Sequence, residues 1–111
     1  MIAGAFEIDQ SNRIEDLTKD SVIAVANEKF SNTLVIPRKL KRLWYKEYVV
    51  RHRRKNFAPA LFSRAIIYLL LESGIDVRRS NLTIDKEYEG YEHMIRQIII
   101  TSYREANVSF R

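Results

Sequence analysis

Apolar and polar positions come in short, strand-like runs up to residue 36 and then take on helical spacing. Residues 2–9 (IAGAFEID) form a short apolar run that reads as a strand. Gln10-Ser11-Asn12-Arg13 is turn chemistry. Residues 21–26 (SVIAVA) are β-branched and predict a second strand, and residues 33–36 (TLVI) a third. The short connections between these three predict an antiparallel meander.

Pro37 suits the first turn of a helix. From there Leu40, Leu43, Trp44, Glu47 and Tyr48 fall at i, i+3, i+4, i+7 and i+8, so they share one face, expected to point inward. Pro59 opens another helix that Gly74 ends as a C-cap. This helix is apolar on nearly every side and is expected to be largely buried. Residues 81–85 (NLTID) predict a fourth strand, residues 90–104 a third helix and residues 106–110 a fifth strand. The order β-β-β-α-α-β-α-β needs a crossover in its last β-α-β, with parallel strands and right-handed connection. The expected fold is therefore α/β. It is one domain over residues 1–111, with a mixed five-stranded sheet of three antiparallel strands then parallel additions, and helices packed on it.

Composition adds exclusions. The chain has 111 residues, 46% hydrophobic and 30% charged, which suits a folded domain. It has no cysteine, which removes disulfide frameworks and thiolate metal sites. No apolar stretch is long enough to span a bilayer and no targeting signal opens the chain, so a cytoplasmic protein without a membrane partner is expected. The net charge of +5 is unevenly placed. Residues 37–56 hold nine basic side chains, Arg38, Lys39, Lys41, Arg42, Lys46, Arg51, Arg53, Arg54 and Lys55, against Glu47 alone, which makes +8 in one segment. A phosphate backbone would relieve the repulsion within such a block and release its counterions. Nucleic acid is thus the expected partner, with a merely solvated basic helix, or an acidic protein or membrane surface, as the alternatives.

Two strands end alike, in Phe6-Glu7-Ile8-Asp9 and Leu82-Thr83-Ile84-Asp85. Sites in open α/β sheets form outside the carboxyl ends of strands. If the first and fourth strands are parallel neighbours, the two carboxylates stand side by side, and a divalent cation is the usual remedy for their repulsion. Glu47, the one acid of the basic segment, sits on the predicted inward face and needs a partner there. Capping of turns by the two aspartates and a Glu47–Arg51 pair at i+4 are the plain alternatives. Of the later acids Glu87, Glu89 and Glu92, placement at a helix start accounts for most. Glu92 faces back toward Asp85 and is a candidate further ligand.

This arrangement resembles the ribonuclease H-like superfamily. There the first strand ends in a catalytic Asp, matched by Asp9. A helix after the third strand supplies a Glu, matched by Glu47, with Glu72 as a rival because two helices intervene here. The fourth strand, parallel to the first, ends in a second Asp, matched by Asp85. The resemblance implies Asp9, Glu47 and Asp85 as catalytic residues holding Mg²⁺ or Mn²⁺, with Glu92 or Glu89 in place of the usual late acidic ligand. It covers most of the chain but rests on element order and three single residues. The function it implies is a metal-dependent nuclease or nuclease-like protein. A non-catalytic nucleic-acid-binding module and an interaction protein with an acidic partner are the alternatives. An exposed edge at residues 106–110 would let the chain pair with a copy of itself.

Overall fold

The computed structural model describes residues 1–111. In β1 (Ala5–Ser11), Phe6 and Ile8 are buried while Ala5, Glu7 and Asp9 are exposed, the alternation of a strand with one covered face. The strand begins three residues later than the apolar run suggests. Gly4 interrupts it, donating its N–H to Ser80 Oγ at 3.2 Å, and Ile2 instead makes an isolated parallel bridge to Ile75. β2 (Ser21–Ala26) pairs antiparallel with β1 and with β3 (Ser31–Ile36). β4 (Asn81–Ile84) pairs parallel with β1, and β5 (Asn107–Phe110) pairs parallel with β4. The expected mixed five-stranded sheet is present, in the order β3-β2-β1-β4-β5.

That order decides where the helices go. β1 and β3 both run antiparallel to β2, so β3, β1, β4 and β5 all point the same way. The connections β3→β4 and β4→β5 then cross the sheet in the same direction. Right-handed crossovers running the same way lie over the same face. Accordingly α2 (Phe57–Glu72) and α3 (Glu92–Ser102) pack beside each other over one face. Under them 21 buried side chains form one core, including Phe6, Ile8, Ile23, Leu82 and Ile84. The opposite face, which carries Glu7, Asp9, Thr33, Thr83, Asp85 and Ser109, has no buried residue. No helix is long and apolar enough to cross a membrane.

α2 begins at Phe57, so Pro59 lies within its first turn, where a missing N–H costs nothing. It ends in a Schellman motif: Gly74, at φ +65°, donates to Leu71 O at 3.1 Å and Ile75 donates to Leu70 O at 3.2 Å. As expected, most of α2 is buried, although Leu71 is 66% exposed.

α1 (Arg38–Arg51) corrects the sequence reading. Its inward side is Lys41, Tyr45 and Tyr48, not the stripe through Leu43 and Glu47. Tyr45 and Tyr48 pack edge-on against Phe57, with ring centroids 5.1 and 5.6 Å away. Lys41 is completely buried, and its ammonium donates to Asp16 O at 2.6 Å and to Ser21 Oγ at 2.9 Å, with Arg13 O at 3.4 Å. Aromatic area and a saturated ammonium outweigh the aliphatic stripe, which is left near solvent. The ammonium ties α1 to the loop between β1 and β2, and burial lowers its pKa despite Asp16, Asp20 and Glu15 nearby. Lys41 therefore cannot contact a partner, contrary to its place in the expected binding block. At the far edge, Arg96 occupies the Val108 carbonyl of β5 at 3.2 Å and covers Phe110, which blunts the edge expected to pair with a second copy.

Replacing Lys41 by Met should strand those buried acceptors. Denaturant unfolding should show a loss of about 2 kcal/mol, whereas Lys39→Met, at an exposed position of the same helix, should change stability by less than about 0.5 kcal/mol.

Candidate metal centre at the carboxyl ends of β1 and β4

The register Ile8↔Ile84 makes Asp9 and Asp85 the next side chains along two adjacent parallel strands. The ladder continues one step, with Asp85 N donating to Ile8 O at 3.0 Å, so both carboxylates stand on the uncovered face of the sheet. Directly after β4 the chain folds back through Glu87 N to Asp85 O at 2.9 Å, bringing a third carboxylate up. Asp9, Asp85 and Glu87 each offer an oxygen within 4.8 Å of the others.

The electrostatics follow from that crowding. Burial raises the Asp85 pKa, and Asp9 raises it further, while Arg111 pulls it down. Burial also raises Glu87, with Asp9 adding to the rise and the Gln10 amide opposing it. Arg111, beside Asp85 beyond β5, donates to Glu7 Oε1 at 2.8 Å and reaches Asp85 Oδ1 at 3.5 Å. On the helix side, Tyr88 OH donates to Gln10 Oε1 at 3.0 Å and accepts from Ile14 N at 3.2 Å. This fixes the Gln10 carbonyl end and leaves its amide nitrogen buried with no partner of good geometry.

The sequence-predicted residues divide. Asp9 and Asp85 come together as expected. Glu47 does not join them; it is exposed on α1, in a groove with Arg51 and Arg64, and it forms no ion pair. Its rival Glu72 is exposed at the end of α2. Glu92 also stays out, because both its oxygens accept from Gly90 N at 3.2 and 3.0 Å, a local bond at the start of α3. Glu89 is exposed in a separate groove. Glu87 takes the third place. Its signal was the spacing Asp85-x-Glu87, obscured by assigning it to a helix start that lies five residues further on.

The basic block divides too. Lys41 is buried, Arg42 Nε donates to Leu17 O at 2.9 Å, and Arg38 is bound to Asp20 through its backbone N–H at 2.8 Å. Lys39, Lys46, Arg51, Arg53, Arg54 and Lys55 are exposed and outside every ion pair. Arg54 and Lys55 line a groove of about 500 Å³ with Arg13 and Tyr88, one residue from Glu87.

The chemistry of the donor set fits a hard dication. All three donors are carboxylate oxygens, and Mg²⁺ or Mn²⁺ takes such ligands together with waters. The buried Gln10 amide lies beside Glu87 and lowers its proton affinity, so it acts on the third carboxylate rather than on anything in solvent. No family model, curated protein or solved structure matches this chain.

Burial, with Asp9 beside them, raises the pKa values of Asp85 and Glu87, so their ionisation opposes folding. The cost is present at neutral pH and is relieved as pH falls through the raised values. Millimolar Mn²⁺ should raise the melting temperature at pH 7, and the gain should fade on acidification through that window. Asp85→Asn should leave the metal-free protein as stable or slightly more stable while abolishing the Mn²⁺ gain. Differential scanning fluorimetry with and without metal measures both.

Proposed function

We propose that this chain is a divalent-metal-dependent nuclease of ribonuclease H-like type, acting on nucleic-acid phosphodiesters. The observation that carries the reading is the convergence of Asp9, Asp85 and Glu87 on the outer face of adjacent parallel strands, in a sheet ordered β3-β2-β1-β4-β5. The first strand beside and parallel to the fourth is the arrangement the resemblance implies. Asp9, Asp85 and Glu87 would hold Mg²⁺ or Mn²⁺, which when bound supplies Lewis-acid activation of a water and neutralises charge on the phosphodiester. The Gln10 amide, buried beside Glu87, would hold that carboxylate in place. Arg13, Arg54 and Lys55 would hold flanking phosphates along the neighbouring groove, since guanidinium and ammonium groups position a backbone without reading sequence.

One observation favours a second reading. Arg111 lies against Asp85, and Glu47 stands apart from the cluster. A site so composed suits a module that binds nucleic acid without cutting it.

Cleavage of single-stranded, double-stranded and hybrid substrates with Mg²⁺ or Mn²⁺ decides between them. The nuclease reading expects cleavage that drops about 100-fold or more in Asp85→Asn and Asp9→Asn, the scale of losing one charge-stabilising group at a reaction centre, and survives in Glu47→Gln. Full activity in Asp85→Asn would overturn it. Binding without cleavage would support the second reading. Either way, three phosphate contacts predict an affinity that falls about 20-fold between ~50 and ~200 mM salt on single strands. An affinity indifferent to salt would remove the basic groove from the account.

A further inference from the structure

The outward half of α1 is unaccounted for by the carboxylate centre. With Lys41, Tyr45 and Tyr48 turned inward, the helix presents Leu43 at 60% exposure, Val50 at 79% and Trp44 at 39%. α1 meets α2 mainly through the Tyr45 and Tyr48 contacts to Phe57, and elsewhere the helices part. Between them lies a groove of about 920 Å³, floored by Leu61, Met94 and Ile98. It continues past Trp44 and Leu61 into a second depression of about 420 Å³, walled by Leu34, Ile36, Leu40 and Tyr68. Together the two run from β3 to α3. Single exposed apolar side chains are ordinary, but two adjoining depressions with mostly apolar lining mark a surface that another molecule covers.

Charge decides the occupant. Arg64 lines both depressions, and Arg51 and His52 line the larger one. Neither arginine has an ion-pair partner. Lys39 and Lys46 are exposed on α1 beyond Leu43 and Val50. Glu47 is the one acid in either depression. A second copy of this chain would bring its own +8 segment against this one, which like-charge repulsion opposes. A nucleic-acid strand would satisfy the arginines, but Phe57 is buried and Tyr48 is already stacked on His52, so only Trp44 and the outer face of His52 are left for bases, over an otherwise aliphatic lining of Val50, Leu61, Met94 and Ile98. An amphipathic helix satisfies both parts, with apolar side chains at i, i+3/i+4 and i+7 in the groove and carboxylates toward the rim. We propose that the α1–α2 groove is a docking site for an acid-rich amphipathic helix of a partner protein. This proposal is independent of the metal centre.

Trp44 is the only tryptophan of the chain, so its emission reports occupancy of the groove directly. The probe is a synthetic helix of about 18 residues, five turns, with a leucine stripe and glutamate elsewhere. Titrated into the full chain, it should shift Trp44 emission to the blue and saturate. Arg64→Glu and Arg51→Glu should each weaken binding about tenfold or more with unchanged far-UV circular dichroism, and Val50→Asp should weaken it through the apolar side. A peptide with lysine in place of glutamate should fail to bind. The proposal is overturned if Trp44 does not respond, if the lysine peptide binds equally well, or if a single-stranded oligonucleotide displaces the peptide and produces the shift itself. It is equally overturned if the free chain dimerises with concentration and thereby buries Trp44.

Discussion

The parallel pairing of β1 with β4 is the constraint from which the rest follows. It joins a strand near the start of the chain to one that lies beyond two further strands and two α-helices, and its register sets Ile8 against Ile84 in the core. The next step outward must then set Asp9 against Asp85, because side chains alternate faces along a strand. A slip of β4 by one residue would put Asp85 into the apolar core and Ile84 into water, so the burial that stabilises the sheet also enforces the charge crowding. Stability and the candidate chemistry are thus set by one register, on opposite faces of the same strands.

Handedness supplies the second condition. Both crossovers proceed the same way across the sheet, so the helices share a face and the carboxylates are left uncovered. Parallel strands are usually covered on both faces. Here the uncovered face is lined with small and polar side chains such as Ala5, Thr83 and Ser109, so it tolerates water without a second helical layer.

What was legible in the sequence reflects which signals are local. The meander, the last crossover and the Gly74 terminus could be read because strand alternation, proline and a left-handed glycine act over a few residues. Asp9 and Asp85 could be read because each closes an apolar strand. The orientation of α1 could not. A wheel scored by hydrophobicity ranks Leu43 and Trp44 above Lys41, and only the three-dimensional loop supplies the Asp16 carbonyl and Ser21 hydroxyl that make a buried ammonium tolerable. The mistaken place given to Glu47 follows directly from that rotation. Glu87 was missed for a related reason: a tight turn after β4 holds it beside the aspartates, and nothing in an acidic stretch marks where the following helix begins.

The sheltered ammonium also divides the chain's amines. Lys41 is completely buried, whereas the other six lysines are exposed. A lysine-directed reagent therefore finds six side chains on the native surface and one locked inside. The lock is the seam between α1 and the loop from β1 to β2, so Lys41 becomes reactive when that seam opens, even while the sheet beneath stays paired. Its modification rate, set against the unfolding rate of the whole chain, tells whether α1 detaches by itself.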